Sequence, residues 1–421
     1  MDDFFTTIGQ VADIFDGPHA TPVKTDAGPY FLSISSLDKG RLDLSKSAHL
    51  SEDDFKKWTK RVTPKKGDLL FSYETRLGEA ALMPDGVTAC LGRRMGLLRP
   101  HSSKVTSEYL LYAYLSPAFQ QTIVANTVTG ATVDRIALNE MSAFPIRIPT
   151  IEEQNKVAGL LKNIDSKIEC NNQINSKIES VIKSLYNYWF VQFDFPDSNG
   201  KPYRSSGGKM VYNATLSREI PDGWECCVLE NHISFRRGIS YKSTDMKDSG
   251  VPFINLNSFT LNGTFKPEGT KFFNGKYKND ALLNEGDLVI AITDVTRNAD
   301  IIGKAFVLGD FFQQKPLMSC DVASASSETF GNFYLEQLFN SPNYHAYIRH
   351  FASGTLVLHL DLNGINWYET ILPKADVLKE FEMICSVLSQ HRHISLKENM
   401  HLNSLRDWLL PMLMNGQVNV S

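Results

Sequence analysis

The chain has 421 residues, 42% of them hydrophobic and 21% charged, with a formal net charge of −4. This composition excludes a long disordered chain, a collagen-like repeat and a disulfide scaffold, and the length points to two or three domains. A slightly acidic balance does not announce a nucleic-acid ligand, so any such role must be read from local features.

The N-terminus, Met1-Asp2-Asp3-Phe4-Phe5, has neither the basic head nor the apolar run of a signal peptide. No stretch of about 18 apolar residues follows, so a cytoplasmic chain with no membrane role is expected. The six cysteines, Cys90, Cys170, Cys226, Cys227, Cys320 and Cys385, show no metal-ligand spacing and read as reduced thiols.

Residues 1–150 read as a first α+β domain. Short strand-like runs such as Asp68–Ser72 are bounded by Gly, Pro and Asn, and a helical run covers Ser107–Leu115. Ser116-Pro117 then starts another helix, because Ser caps and Pro fits the first turn. Residues 151–192 form a long helix. Thr150 can cap it, with Glu153 completing a capping box. Val157, Leu161, Ile164, Ile168, Asn171, Asn175, Ile178, Ile182, Leu185 and Trp189 alternate steps of four and three, which is a heptad seam.

Residues 193–224 carry linker chemistry, with Pro196 to Gly200 and Ser205 to Gly208, after an aromatic cluster (Tyr186, Trp189, Phe190, Phe193, Phe195) that reads as core at a helix end. Residues 225–373 form a second α+β domain. Residues 374–415 form a second long helix, with a seam through Val377, Phe381, Ile384, Leu388, His391, Ser395, Glu398, Leu402, Leu405, Leu409 and Met412. Both seams are polar in the middle. An antiparallel coiled coil would let those middles meet, with Asn171 and Asn175 fixing register.

The two domains are copies of one unit. Gly28–Leu37 resembles Gly250–Phe259, Lys66–Ser72 resembles Glu285–Ala291, and Ser116–Phe119 resembles Ser341–Tyr344. Thr129-Gly130-Ala131 resembles Ser353-Gly354-Thr355, and Phe144–Pro149 resembles the segment ending Ile371–Pro373. A constant offset of about 220 residues across five ordered pairs marks a duplicated domain.

Catalytic signatures are absent: no phosphate loop, no dinucleotide fingerprint, no Asn-Pro-Pro-aromatic tetrapeptide, no GxSxG elbow and no HExxH. Of ten histidines, His391 and His393 cluster, in the second long helix, where a structural or surface role is expected. What recurs instead is polar chemistry at strand ends. Ser33, Ser35 and Ser36 align with the stretch holding Asn255 and Asn257. Thr75-Arg76 aligns with Thr296-Arg297, and Arg93-Arg94 with the neighbourhood of Gln314-Lys315. Arg, Asn and Gln suit bidentate contacts to purine edges, while Ser, Thr and Lys suit phosphates.

Ile148-Pro-Thr-Ile-Glu-Glu-Gln-Asn-Lys-Val-Ala158 opens the first helix, Gly67-Asp68-Leu69 and Gly286-Asp287-Leu288 recur within the domains, and Ser404–Gly416 ends the second helix. With the linker from Trp189 to Glu225, these motifs resemble the specificity subunit of type I restriction–modification systems along essentially the whole chain. The resemblance implies two target-recognition domains separated by two long helices in an antiparallel coiled coil. Each domain reads one half of a bipartite site on double-stranded DNA, and the helices set the spacing and dock two modification subunits. It implies that S-adenosylmethionine, ATP and Mg belong to partner subunits, restriction subunits among them, and that this chain is not itself an enzyme. The alternative is a nuclease or DNA methyltransferase with an unrecognised site. The second helix opens on Lys374–Phe381 without the Glu-Gln signature of the first, a departure from the family's pattern.

Overall fold

A computed structural model describes residues 4–129 and 133–420. The chain divides into two compact units, residues 1–169 with 401–421 and residues 170–400. Each unit joins one globular domain to stretches of both long helices.

In the first unit a four-stranded antiparallel sheet runs in the order Ala12–Asp16, Met95–Pro100, Leu69–Ser72, Ala80–Leu82. Beside it, Thr25–Phe31 pairs antiparallel with Ala48–His49 and parallel with Ala89–Cys90. Phe5–Thr7 pairs with Pro145–Arg147 and ties the start of the domain to the foot of the long helix. Helices Ser107–Leu115 and Pro117–Ala125 cover the sheet. Ser116 joins them, donating to Ala113 O at 2.7 Å and accepting from Phe119 N at 3.4 Å. Phe71, Tyr109, Tyr114 and Phe119 fill the core, together with Val157, Leu161 and Leu413 from the long helices.

The second unit repeats this plan. Ser234–Arg237, Val322–Ser326, Leu288–Ala291 and Ala305–Val307 form the same sheet in the same order. Val251–Ile254 pairs antiparallel with Lys271–Phe273 and parallel with Leu317–Met318, and Glu225–Val228 pairs with Glu369–Leu372. Ser341 caps its helix through Tyr344 N at 3.3 Å, as Ser116 does in the first copy. The repeated Gly-Asp-Leu has a structural meaning. Asp68 is buried and binds Arg99 through both oxygens, at 3.0 and 2.7 Å, while Asp287 binds Arg236 at 3.1 Å. Each carboxylate also closes its turn, accepting from Lys65 N at 2.8 Å and Asn284 N at 2.9 Å.

The stretch 193–224 is packed rather than loose. Met210–Asn213 and Arg218–Pro221 form a hairpin. Phe195 stacks between Tyr203 and Trp224, with ring centroids at 4.7 and 4.9 Å. Trp189, Phe190 and Phe193 join Tyr334 and Phe381 in the core, so the aromatic cluster closes a helix end.

The first long helix covers Ile151–Tyr186 and the second Ala375–Met414. Thr150 caps the first through Glu153 N at 3.3 Å, but the Glu153 carboxylate turns to Arg147 at 3.2 Å instead of completing the box. The helices run antiparallel in each unit. In the first unit Arg406 meets Asp165 at 3.0 Å, and Leu413 packs in the cluster with Val157 and Leu161. In the second unit Asn171 meets Asn399, Glu179 meets Arg392, and Trp189 meets Phe381.

Ile164, Ile168, Asn171 and Asn175 point inward as the heptad pattern expects, with Ile178 half-buried. Val377 and Phe381 are buried as the second seam expects, and beyond them that seam is displaced by one residue. The inward series is Leu378, Cys385, Arg392, Asn399, Arg406 and Leu413, at intervals of seven. His391 is exposed, and Leu388, Ser395 and Leu402 lie half-buried at the flanks. The physical reason is that polar side chains face the partner helix. Arg392, Asn399 and Arg406 find carboxylate or amide partners there, so the most apolar positions do not mark the seam. Among the described residues, no helix is long and apolar enough to cross a membrane.

Candidate nucleic-acid interface

In the first domain, strand Leu69–Ser72 runs out into a segment on which several turns converge. Tyr73 N donates to Arg94 O at 3.2 Å, and Ile136 N donates to Tyr73 O at 2.9 Å. Glu74 bridges to the backbone of Arg135, and Arg76 reaches Ile34 O at 3.2 Å. Thr75 and Arg94 both adopt positive φ, 68° and 70°. Ser33 caps the neighbouring turn, accepting from Ser35 N at 3.3 Å. Ser33, Ser35, Thr75, Arg76, Arg93 and Arg94 are thereby brought to one edge.

Their charges are not equivalent. Arg94 is held by Glu74 at 2.8 Å and by Thr75 Oγ1 at 3.3 Å, and Arg76 by Glu79 at 3.1 Å. Arg93 and Arg135 are exposed with no acidic partner among the described residues. Burial, with Glu74 nearby, pushes Tyr73 up to about 12, so the phenol beneath this edge stays neutral. Ser36 is not part of the surface. It is buried and bonded to Ser47 Oγ at 2.8 Å, so it holds two turns together.

In the second domain, Asp294 accepts from Thr296 N and Ile301 N, both at 2.7 Å, and Thr296 Oγ1 accepts from Asp300 N at 3.0 Å. This network shapes a loop that carries Arg297 outward. Arg297, Asn298, Arg349 and His350 surround a hollow of about 430 Å³ with Ala299, Ala346, Ala352 and Leu358, and no acidic side chain lines it. Below it, His345 contacts Ala299 O at 3.0 Å; burial and Lys304 keep its pKa below the ordinary histidine value.

Asn255 faces inward. Its amide donates to Phe253 O and Gly269 O, both at 3.1 Å, and its oxygen accepts from Asn257 N at 2.9 Å, so it is a turn cap and not a base reader. Asn257 is exposed. Gln314 binds Gly250 O at 2.9 Å and Lys315 is exposed beside it, on the turn before Leu317–Met318 and outside the hollow.

The pairing of Arg93-Arg94 with Gln314-Lys315 is also corrected. Met95 pairs with Ser72 in the first sheet as Val322 pairs with Ala291 in the second, so Arg93 and Arg94 correspond to Cys320 and Asp321. Of the repeat Thr129-Gly130-Ala131, Gly130 and Ala131 lie outside the described residues. Arg135, Arg349, His350 and His359 were not singled out by sequence reasoning. A signal existed for two of them. Arg135 and His359 stand at the same distance after the repeated glycines Gly130 and Gly354, and both lie in a short strand facing the start of this edge.

The helices of the second unit expose apolar side chains. Ile174 and Val181 recur at heptad spacing on the first, continued by Tyr188 in the π-helical turn that follows it, and Met383, Val387 and Ile394 stand out on the second. Among the described residues no cluster of His, Cys, Asp and Glu is placed to hold a metal ion.

Residues 6–180 match the family described as the type I restriction modification DNA specificity domain. The chain resembles the type I restriction enzyme MjaIX specificity subunit of Methanocaldococcus jannaschii, with 23% identity over 386 residues, 88% of this chain and 82% of that protein. It resembles the HindI specificity subunit of Haemophilus influenzae, with 23% identity over 412 residues, 84% of this chain and 87% of that one. The crystal structure of the S subunit from M. genitalium shares the fold. Its TM-score is 0.58 at 14% identity, covering 98% of this chain and 97% of that one. The chain thus resembles type I specificity subunits along its length, and the matched family is a recognition module, not a catalytic one.

Proposed function

We propose that this chain is the DNA sequence-specificity subunit of a type I restriction–modification complex. The carrying observation is the duplication. Two domains with one strand order each end in long helices that pair antiparallel through polar seams. Each domain presents exposed arginines without carboxylate partners at one edge, Arg93 and Arg135 in the first and Arg297 and Arg349 in the second. Each edge reads one half of a bipartite site on double-stranded DNA, and the helices set the spacer between halves. The chain itself transfers no methyl group and cuts no phosphodiester.

Two modification subunits dock on the helices, and the exposed apolar side chains Val181, Tyr188 and Val387 support such a contact. Those subunits carry S-adenosylmethionine, and restriction subunits carry ATP and Mg. The complex works in the cytoplasm, with no membrane role. The net charge of −4 fits this division, because partners then supply much of the phosphate neutralisation.

The test is methylome mapping in cells that carry the chain with its modification subunits. A bipartite methylated motif is expected. Exchanging residues 1–150 for those of another such subunit must change one half only, and inserting one heptad after Ile168 must lengthen the spacer only. Methylation without a motif, or a change in both halves, overturns the reading.

A further inference from the structure

The first domain holds Arg93 on a fixed turn with its guanidinium free. A Cβ on Gly92 would sit 1.8 Å from Leu32 O, so the chain passes there only as glycine. Met95 N closes the turn onto Gly92 O at 3.3 Å, and Arg94 O accepts from Tyr73 N at 3.2 Å. The Arg94 side chain is tied down by Glu74 and Thr75, at 2.8 and 3.3 Å. The backbone on both sides of Arg93 is therefore anchored, while its own side chain is exposed and makes no hydrogen bond or ion pair among the described residues.

The second domain builds the same turn with different chemistry. Ser319 stands where the first domain has Gly92, Val322 N closes the turn onto Ser319 O at 3.2 Å, and Asp321 O accepts from Ile292 N at 2.9 Å. The sheet register puts Cys320 where the first domain has Arg93, and Asp321 where it has Arg94. Asp321 accepts from Thr293 Oγ1 at 3.2 Å and from the Tyr241 hydroxyl at 3.4 Å. Cys320 is exposed.

A guanidinium on a preorganised backbone matches the O6 and N7 acceptors of guanine with two parallel N–H groups. A thiol has no such pair of donors. We propose that Arg93 reads a guanine in the half-site bound by the first domain, and that the second domain, with Cys320 at the matching turn, makes no guanine contact there. The inference rests on the DNA-recognition reading above and names one base contact within it. It makes the two half-sites unlike at equivalent steps of the same fold, through one exchanged side chain.

The experiment is selection from a randomised duplex library at one fixed salt concentration. It uses the full chain assembled with its modification subunits, as wild type, Arg93→Ala, Arg93→Lys and Cys320→Ala. Wild type is expected to enrich a bipartite site with a guanine in the first domain's half. Both Arg93 variants lose preference for that guanine by about tenfold to a hundredfold and keep the other half unchanged. Arg93→Lys retains the charge and so retains overall affinity, which separates lost readout from lost attraction or a failed fold. Cys320→Ala enriches the wild-type site.

The inference is overturned if the Arg93 variants keep the wild-type site and weaken evenly on all sequences, the mark of a phosphate contact. It is equally overturned if they weaken both halves, if that half contains no guanine, or if Cys320→Ala removes a guanine from the second half. If wild type enriches no sequence, the DNA-recognition reading fails and takes the inference with it. A bipartite site enriched identically by wild type and both Arg93 variants removes the inference alone.

Discussion

The side-chain amide of Asn171 donates to Asn399 Oδ1 at 2.9 Å and to Glu398 Oε2 at 2.7 Å, in the polar middle of the helix pair. Asn399 returns a bond to Asn172 at 2.9 Å. Asn171 and Asn399 are both nearly fully buried. Removing one partner leaves polar atoms short of bonds in a dry seam, whereas replacing both removes the need for them. Asn399→Leu is expected to destabilise the chain by ~1–2 kcal/mol, and Asn171→Leu with Asn399→Leu to recover most of that loss. Urea denaturation of the two singles and the double closes the cycle. Strictly additive losses would mean the two amides act independently.

Asn175, one turn further along, is a contrasting case. It is 6% exposed, and neither amide atom has a hydrogen-bond partner among the described residues. An unsatisfied buried amide costs ~1–3 kcal/mol. Asn175→Ile is therefore expected to raise stability by about 1 kcal/mol, and a lower urea midpoint than wild type would contradict it.

The repeated aspartates differ in burial and so in weight. Asp68 is buried and grips Arg99 with both oxygens, whereas the Asp287 and Arg236 side chains are 24% and 38% exposed. Breaking a buried, doubly bonded pair strands a charge, while a solvated pair contributes little. Asp68→Ala is expected to cost ~2–4 kcal/mol and Asp287→Ala about 1 kcal/mol. Thermal denaturation of the full chain compares them, and equal losses would deny the role of burial.

These particulars show what the sequence carried. The duplication was legible because turn-forming and capping residues recur at one offset: Ser116 and Ser341 do the same work in both copies. The first helical seam was legible because apolar residues from Val157 to Ile182 face inward. The second is legible only at its start, Val377 and Phe381; further on, Arg392, Asn399 and Arg406 take the inward places that the pattern gives to His391, Glu398 and Leu405. At the candidate interface, position after a strand points to Thr75 and Arg76, but polar residue type does not separate a surface residue from a cap. Ser36 and Asn255 are consumed by their own turns. The partners of the repeated aspartates were out of reach for another reason. Arg99 and Arg236 come from different strands of the equivalent sheets, so aligning the copies does not reveal them.

His393 makes the second unit sensitive to acid. Its ring packs edge-on against Phe311 at 5.1 Å, and its Nε2 meets Ser389 Oγ at 3.2 Å. Burial, helped by the neighbouring Arg392 charge, pushes it down to about 3, against an ordinary value of 6.5. The folded chain therefore holds His393 neutral while the unfolded chain protonates it. The resulting stability is present above pH 6.5 and is lost as pH falls from there toward 3, by up to about 2 kcal/mol at pH 5. Burial holds Glu179, Glu336 and Glu382 above the usual carboxylate range, and these work in the opposite direction. Comparing wild type with His393→Gln isolates the imidazole. The variant is expected to lose less stability between pH 7 and pH 5, and parallel losses would refute the assignment.

Arg297 and Arg349 face one hollow with no carboxylate to neutralise them, so their field acts on whatever anion enters. On the reading proposed here that anion is the DNA backbone. A phosphate contact releases a condensed counterion, and its removal weakens binding to all sequences alike. Arg297→Ala and Arg349→Ala are each expected to reduce the salt slope of log affinity by about 1, with the selected sequence unchanged. Fluorescence anisotropy of the assembled complex across a salt series measures the slope. A variant that keeps the slope but alters one base preference would move that arginine from the backbone to a base edge.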